Sequence, residues 1–483
     1  MSKLYVFGIG GTGSRVLKSL TVLMAAGVKI NADEVVPIII DPDLAAADLT
    51  RTVKLMEDYV RVRSHIDVDN ASKNGFFNTK INMDIIPSGR IPVQNTKNIK
   101  FKEYIGLSLM TDQNGNENAN YALASMLFSE KNLESTMQVG FKGNPNIGSV
   151  VLNQFSFSDE FKAFENSVKQ GDRVFVISSI FGGTGASGFP LLVKELRKPK
   201  EKGENDWVRN MPIGAVTVLP YFDVKPNEKS EIDSTTFISK AKAALSYYDT
   251  NLTEVNSLYY IADSITKAYE NSEGGDTQRN QAHFVELAAA LAIIDFASQA
   301  DNTFQTIEGK VNNSTYKEFG IEKESKSILF NDLCQITNLT IKKPMTQFLL
   351  FCKYLNEQLY NSYKYLPWAK DHKFDDNFVK SQYFQSDLMN VKNAYLEWLN
   401  EMSANYRAFS PYDVSVKRGD VFSLIKGESP AKIISFKANY ALFDDTLNEI
   451  QKKVKDNNSK ELHSFLELFY QATEKLVKLK FRM

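Results

Sequence analysis

Two glycine-rich loops constrain the fold of this 483-residue chain more than any other feature. The first is FGIGGTGSRV at residues 7–16, between the apolar run LYVF and the helical pattern SRVLKSLTVLMAA. The second is IFGGTGASG at residues 180–188, between the apolar run DRVFVISSI and the helical pattern FPLLVKELRK. In each case an apolar strand leads through glycines into a helix, which is the arrangement that α/β proteins use to bind phosphate.

The segments around these loops alternate between strand and helix patterns. The run VVPIII ends next to Asp41, and IGAVTVLPYF and SLYYIAD follow the second loop with helical patterns between them. Such alternation predicts a doubly wound parallel sheet with right-handed crossovers. The predicted parts are a nucleotide-binding domain at 1–279 with an insertion at about 44–139, a long central helix at 280–300, and an α+β C-terminal domain at 301–483 that ends in helices. Within the last part, DLCQITNLTI has a β-leaning composition.

Composition and charge exclude several classes of partner. The chain has 57 basic and 58 acidic side chains, so no overall field attracts nucleic acid or anionic lipid, and direct binding to nucleic acid is not expected. The longest apolar helical run, VELAAALAIIDFA from Val285, is shorter than a membrane span and contains two acidic residues. Two isolated cysteines favour a reducing, cytoplasmic setting.

Taken by itself, the first loop matches the G-x-G-x-x-G fingerprint of dinucleotide-binding enzymes. Asp41 then stands where an acid that binds the ribose belongs, although it comes later than the usual spacing. An adenylating enzyme is a further alternative, since its nucleotide loop also reads G-x-G-G-x-G-S. The dinucleotide reading does not explain the second loop, because a second set of backbone N–H groups indicates a polyphosphate bound from two sides. Adenylating enzymes often need a catalytic cysteine, and neither Cys334 nor Cys352 lies in a suggestive motif.

The two loops, together with a third, resemble those of the tubulin and FtsZ superfamily. GGTG after an apolar strand resembles the family's signature loop, FGIGGTGSR resembles its first phosphate loop, and GFKGNPNIGSVVL at 140–152 resembles the loop that precedes the signature strand. The resemblance implies GTP or GDP as the ligand. It implies phosphate contacts from Gly8, Gly10, Gly11, Thr12, Gly13, Ser14, Gly143, Asn144, Gly182, Gly183, Thr184, Gly185, Ala186 and Ser187.

Three further segments follow in the family's order. VVPIIIDPD is similar to the strand that ends beside the magnesium ion, which implies that Asp41 and Asp43 lie near Mg²⁺ and that Asp41 also contacts the nucleotide. VTVLPYFDV is similar to the strand whose following loop lies by the ribose, so Asp223 is a candidate contact. The start of the central helix in the family contacts guanine, which makes Asn280 the first candidate here and His283 the second; a buried structural histidine is the alternative for His283.

The sequence also departs from the family. In the signature loop, either one residue is inserted or Ser187 replaces a glycine. Lys142 stands in the third loop where the family has a small residue; this lysine either binds phosphate or lies in solvent. In the family an acidic loop from the next subunit completes the site for hydrolysis. The nearest match is ILFNDLCQ, which makes Asp332 the candidate catalytic acid, with Glu322 and Glu324 as rivals and a helix N-cap as the other reading of Asp332.

The resemblance thus predicts a cytoplasmic GTP-binding protein that self-associates head to tail into filaments, with GTP hydrolysis completed at the subunit interface. The weak match of the acidic loop leaves slow hydrolysis and no hydrolysis both open. A non-polymerising nucleotide-binding scaffold of the same fold and an NAD-dependent oxidoreductase are the alternatives. An adaptor protein is a further possible partner, and a membrane is not expected to be one.

Overall fold

The structure is a computed structural model, and the statements below concern the residues that it describes. These are residues 2–67, 73–112, 114–201, 205–225, 234–265, 268–269, 275, 280–319, 326–431, 439–454 and 461–483.

An eight-stranded sheet forms the core of the N-terminal part, and every pairing in it is parallel. The fold is therefore an α/β fold built on a large parallel sheet, as the alternating pattern predicts. The strands of the described residues are β1 (Lys3–Ile9), β2 (Glu34–Ile40), β3 (Lys80–Ile81), β4 (Arg90–Ile91), β5 (Arg173–Ser179), β6 (Ile213–Val218), β7 (Asp223–Val224), β8 (Ser257–Ile261), β9 (Ala268–Tyr269), β10 (Thr306–Ile307), β11 (Lys310–Val311), β12 (Thr315–Phe319), β13 (Ser327–Ile328) and β14 (Ala408–Phe409).

The strand order is β12-β8-β6-β5-β1-β2-β3, with β4 also paired to β2. The chain runs outward from β1 to β2, then returns to place β5 on the other side of β1 and continues outward in the opposite direction. The direction of winding therefore changes between β1 and β5. In open parallel sheets, ligands bind at the carboxyl ends of the strands at such a switch point, and both glycine loops follow these two strands.

Helices cover both faces of the sheet and form most of the C-terminal part. In chain order they are α1 (Gly10–Ala25), α2 (Ala47–Ser64), α3 (Phe101–Tyr104), α4 (Ala119–Leu127), α5 (Glu130–Leu133), α6 (Pro145–Leu152), α7 (Asp159–Ser167), α8 (Gly183–Arg197), α9 (Trp207–Asn210), α10 (Phe237–Asn251), α11 (Phe284–Ser298), α12 (Gln335–Glu357), α13 (Leu359–Ser362), α14 (Pro367–Lys370), α15 (Asp376–Lys380), α16 (Met389–Ala404), α17 (Asn439–Ile450) and α18 (Glu461–Phe481).

The predicted central helix is α11, and twelve of its fifteen residues are buried. Residues after α11 also contribute to the sheet, because β12 pairs with β8 at one edge. Within the predicted insertion, β3 and β4 pair with β2 at the other edge.

The described residues from 326 on are mainly helical, and β13 pairs there with β14, while β10 pairs with β11 earlier in the C-terminal part. The β-leaning run DLCQITNLTI does not form a strand: from Gln335 on it is the first part of α12. The second half of this helix is buried from Met345 to Leu355, with Phe348 packed on Phe76. Tertiary packing of one continuous helix therefore outweighs the local preference of the Thr- and Ile-containing start.

Candidate functional site

Three loops from distant parts of the sequence meet in one cavity at the switch point of the sheet. The cavity also has acidic side chains on one side and aromatic side chains on another. Its described lining consists of Gly10, Gly11, Thr12, Arg15, Asp41, Asp43, Ala46, Asp48, Val139, Gly140, Phe141, Lys142, Gly143, Ser179, Phe181, Gly182, Gly183, Thr184, Gly185, Phe222, Val224, Phe237, Tyr269 and Asn280.

The loops touch each other so closely that glycine is required where they meet. A Cβ atom on Gly10, whose φ is +71°, would lie 3.3 Å from Cβ of Thr184 in the second loop. A Cβ on Gly183 would lie 2.9 Å from Cβ of Phe141 and 3.2 Å from the backbone nitrogen of Gly143 in the third loop. The glycines thus let three backbone segments share one small space, as a cradle for an anion requires.

The helices that begin at these loops lack side-chain caps. The N-cap residues of α1, α6 and α8, which are Ile9, Asn144 and Gly182, make no capping hydrogen bond with a side chain. Neither α1 nor α8 has an acidic residue in its first turn. The first N–H groups of a helix need acceptors, and a phosphate oxygen in the cavity would supply them to α1 and α8, whose first residues line it; α6 begins at Pro145, which lines the neighbouring cavity.

Asp41 and Asp43 lie at the end of β2, on the acidic side of the cavity. Burial raises the pKa of Asp41 to about 7; the Asp43 carboxylate adds to the rise and the Asp43 backbone N–H, which donates to Asp41 Oδ1 at 3.0 Å, opposes it. The Asp43 carboxylate accepts from the backbone N–H of Ala45 and Gly275. A buried carboxylate with a raised pKa is one that gains from a bound cation.

These two carboxylates fit a magnesium ion only in part. Among the described residues, no group of three or more His, Cys, Asp or Glu side chains is arranged to hold a metal. Magnesium commonly keeps several waters and takes its other ligands from one or two carboxylates and substrate phosphates, so the donor set suits a metal that arrives with the nucleotide.

Arg15 is a lining residue that the sequence analysis missed. Its Nε donates to Glu286 Oε1 at 2.5 Å, its Nη2 donates to the Tyr221 hydroxyl at 3.1 Å, and Nη1 lies 3.4 Å from Asp48. Burial opposes the charge of this guanidinium, but Tyr221, Glu286 and Asp48 raise its pKa overall. The sequence signal that could have indicated this residue is its position one helical turn after Gly11. An arginine at that position places a fixed positive charge behind the first loop.

Asn280, the first candidate for a base contact, lines the cavity. Its side-chain amide donates to Asp48 Oδ2 at 2.9 Å, and its backbone N–H also donates to the same carboxylate. Asp48 in turn accepts from Arg51 Nη2 at 2.8 Å. Because a carboxylate only accepts, this contact fixes the orientation of the amide and leaves the Asn280 side-chain oxygen as its acceptor.

An aromatic wall, which the sequence analysis also missed, bounds the same cavity. Phe222 packs edge to face on Phe181 at 5.5 Å and on Tyr269 at 5.6 Å between ring centroids, and all three rings line the cavity. Such a wall is suited to stacking against a planar base. The three residues are up to 88 positions apart in the chain, so no local sequence pattern indicates that they form a cluster.

Lys142 also lines the cavity and is only 8% exposed, so it does not lie in solvent. Its φ of +46° is in the left-handed region, as are those of Gly140 (+90°) and Gly143 (+75°) on either side of it in the loop. Its ammonium donates to the Thr136 hydroxyl at 3.2 Å. The lysine therefore adds a positive charge beside the glycine loops.

Several residues that were predicted to contact phosphate do not line the cavity and instead pack behind the loops. A Cβ on Gly13 would lie 2.4 Å from the carbonyl carbon of Gly8, so these two glycines bring α1 against β1. Ser14 donates to Gly10 O, and Ser187 donates to Gly183 O at 2.7 Å. Ala186 and Asn144 line a neighbouring cavity together with Ser187.

Asp223 and His283 also lie outside the lining. Asp223 is half-buried and accepts from the backbone N–H of Val224. His283 is the N-cap of α11: its Nδ1 accepts from the N–H of Val285, and its ring packs on Tyr221. His283 therefore has the contacts of a buried structural histidine, which is the alternative to a base contact.

Asp332 lies apart from the glycine loops, beside a larger cavity of about 620 Å³. Its carboxylate accepts from the Leu329 backbone N–H at 2.8 Å, three residues earlier in the chain, so Asp332 stands at the third position of a short helical turn and is not an N-cap. The neighbouring Phe330 packs on Phe409, and Phe409 packs on Phe284, the first residue of α11. Asp332 is therefore at the same end of the central helix as the cavity that Asn280 lines, and Glu322 and Glu324 fall outside the described residues.

Comparisons with known proteins add little to this geometry. No protein-family model matches the chain, and no curated protein sequence matches it. Among solved structures, the chain is similar to CetZ from Methanosaeta thermophila strain DSM 6194, with 16% identity and a TM-score of 0.28. The match covers 62% of this chain and 52% of CetZ, so the chain spans about half the length of that protein. No helix in the described part of the chain has the length and apolar character needed to cross a membrane.

Proposed function

We propose that this chain is a tubulin/FtsZ-like protein that binds GTP or GDP with Mg²⁺ in the cavity at the switch point. The observation that carries the proposal is the convergence of three glycine-containing loops, at residues 10, 143 and 183, on one cavity that Asp41 also lines, with α1 and α8 beginning there without a side-chain cap. A dinucleotide site needs one such loop, whereas three loops suit a chain of phosphates. The aromatic wall and Asn280 offer a place for the base.

The charges of the lining support a metal–nucleotide complex over a bare nucleotide. Asp41, Asp43 and Asp48 outnumber the cations Arg15 and Lys142 among the described lining residues. A triphosphate would meet repulsion from the carboxylates, and a divalent cation between them would turn that repulsion into attraction.

Nucleotide binding is tested by thermal unfolding of the full chain with MgGTP, MgATP, MgGDP and NAD. We expect the largest upward shift of the midpoint with MgGTP, because a ligand that binds only the folded state stabilises it. Chelation of the metal should remove most of the shift. A shift with NAD and none with any triphosphate would reject the proposal in favour of the dinucleotide-binding alternative.

We further propose that GTP-bound chains stack head to tail, so that the cavity of one subunit meets the amino ends of the strands of the next. A contact between two different surfaces that does not close gives a filament. Sedimentation and negative-stain electron microscopy with MgGTP are expected to show polymers. Nucleotide binding without polymers would instead select the non-polymerising scaffold.

In such a stack, an acid that acts on the neighbour's nucleotide must lie at the amino ends of the strands. Asp301 lies there: it follows α11, its side chain is 86% exposed, and it pairs with Arg173 at the start of β5. Glu308, in the turn between β10 and β11, is also exposed. Asp332 lies at the opposite end, so we propose that the acidic role belongs to Asp301 or Glu308.

This assignment predicts a contrast between alanine variants in phosphate release. Asp301→Ala or Glu308→Ala should lower turnover at least about tenfold while nucleotide binding persists, because a positioned carboxylate contributes mainly to the chemical step. Asp332→Ala is the matched control and should turn over as the parent does. Loss of turnover in Asp332→Ala with normal rates in the other two would restore the role that the resemblance implies for Asp332.

A further inference from the structure

The neighbouring cavity that Asn144, Ala186 and Ser187 line has a volume of about 530 Å³ and lies on the far side of the third loop from the nucleotide cavity. Helices α6, α8 and α10 form its walls. Pro190, Leu191, Ala243 and Ala244 make much of the surface apolar, and Tyr247 lies at the side. A cavity of this size with mostly apolar walls and a few polar groups is typical of a site for a small molecule.

The charged groups of this cavity are of one sign. Lys194 and Lys240 line it, and none of its described lining residues is acidic. Lys194 donates to the Tyr247 hydroxyl at 2.7 Å. This neutral hydroxyl holds the ammonium in place without cancelling its charge.

The second lysine is also held in place. Lys240 Nζ donates to the backbone oxygen of Gly143 at 2.7 Å, which joins α10 to the third loop. Asn144 and Asn146 at the start of α6 add amide groups to the lining. Two anchored cations beside apolar walls select a ligand that has an anionic group and an apolar body.

We propose that this cavity binds a small aromatic molecule with a single anionic group. The anion pairs with Lys194 and Lys240, and the aromatic body packs between α8 and α10 on Leu191 and Ala244. This site is separate from the nucleotide cavity and does not depend on the proposed function.

The test uses anilinonaphthalene sulfonate, an aromatic sulfonate whose fluorescence rises on binding. The full-length chain is expected to bind it saturably. Lys194→Glu should weaken binding at least about tenfold because it reverses the charge that the sulfonate meets. Ala244→Trp should abolish binding because the indole fills the space for the rings.

Two control variants, matched to Lys194→Glu and Ala244→Trp, show whether the probe binds in this cavity. Lys162→Glu makes the same charge change on an exposed helix outside the cavity, and Thr337→Trp fills the 620 Å³ cavity instead. Both should bind the probe within about twofold of the parent. The proposal is overturned if Lys194→Glu and Ala244→Trp bind as the parent does, or if Thr337→Trp is the variant that loses binding.

Discussion

Replacement of Gly183 by valine is expected to abolish nucleotide binding, with at least a hundredfold loss of affinity for MgGTP. A Cβ at this position would lie 2.9 Å from Cβ of Phe141 and 3.1 Å from the backbone nitrogen of Asn144. The branched side chain must therefore push the third loop away from the second. Separation of the loops by about 1 Å removes several backbone N–H donors from reach of the same phosphates.

Calorimetric titration with MgGTP measures this effect, and Gly419→Ala is the control. A Cβ on Gly419 would meet no atom within 4 Å, so that variant should bind as the parent does. Overpacking at Gly183 also costs about 1–3 kcal/mol of folding free energy. Circular dichroism must therefore show that the variant is folded at the titration temperature. A folded Gly183→Val chain with parental affinity would mean that the loops do not cradle the phosphates.

Asp41→Asn is expected to remove magnesium-dependent binding and, at the same time, to stabilise the ligand-free chain at high pH. The pKa of Asp41 is about 7 in the folded chain against 3.8 for the unperturbed group. The folded state thus holds its proton more tightly than the unfolded state. Stability from this group is greatest at low pH and falls as the pH rises from about 4 to about 7.

Above pH 7 the buried charge of Asp41 lowers the free energy of unfolding by at most about 4 kcal/mol. The neutral side chain of asparagine has no such cost. Denaturant unfolding in a chelating buffer should therefore show that Asp41→Asn is more stable than the parent at pH 8 and nearly equal to it at pH 4. Asp159→Asn, a fully exposed acid on α7, should change neither value. If Asp41→Asn is less stable than the parent at pH 8, then the Asp41 carboxylate of the parent is ionised and its surroundings stabilise the charge without a metal.

The same group gives nucleotide binding a dependence on pH. Magnesium requires the ionised carboxylate, so protons compete with it below pH 7. The parent should bind MgGTP about tenfold more weakly at pH 6 than at pH 8, since the ionised fraction of a group with this pKa changes about tenfold. The residual binding of Asp41→Asn should lack this dependence.

The position of Asp332 shows what a sequence motif does not specify. The pattern ILFNDLCQ resembles an acidic loop, but chain order does not say at which end of a helix a later segment lies. Here β12 returns to the sheet after α11, and the chain therefore reaches Phe330 beside the start of that helix. The exposed acids Asp301 and Glu308 remain at the other end.

The sequence alone determined the parallel sheet, the two glycine loops at its centre and the acidic residues after β2. These are local features: apolar runs bounded by glycine, and helices that start without a cap, follow from a few neighbouring residues. The third loop was also recognisable from its own residues. The nucleotide that these elements bind stays a prediction.

Tertiary structure decided which side chains complete the cavity. Arg15 acquires its partners Glu286 and Asp48 from positions 271 and 33 residues away, and Asn280 is oriented by Asp48 across 232 residues. The aromatic wall and the lysine-lined cavity arise in the same way. Contacts between distant segments are set by how sheet and helices pack, because burial of apolar surface brings these side chains together whatever their separation in the chain.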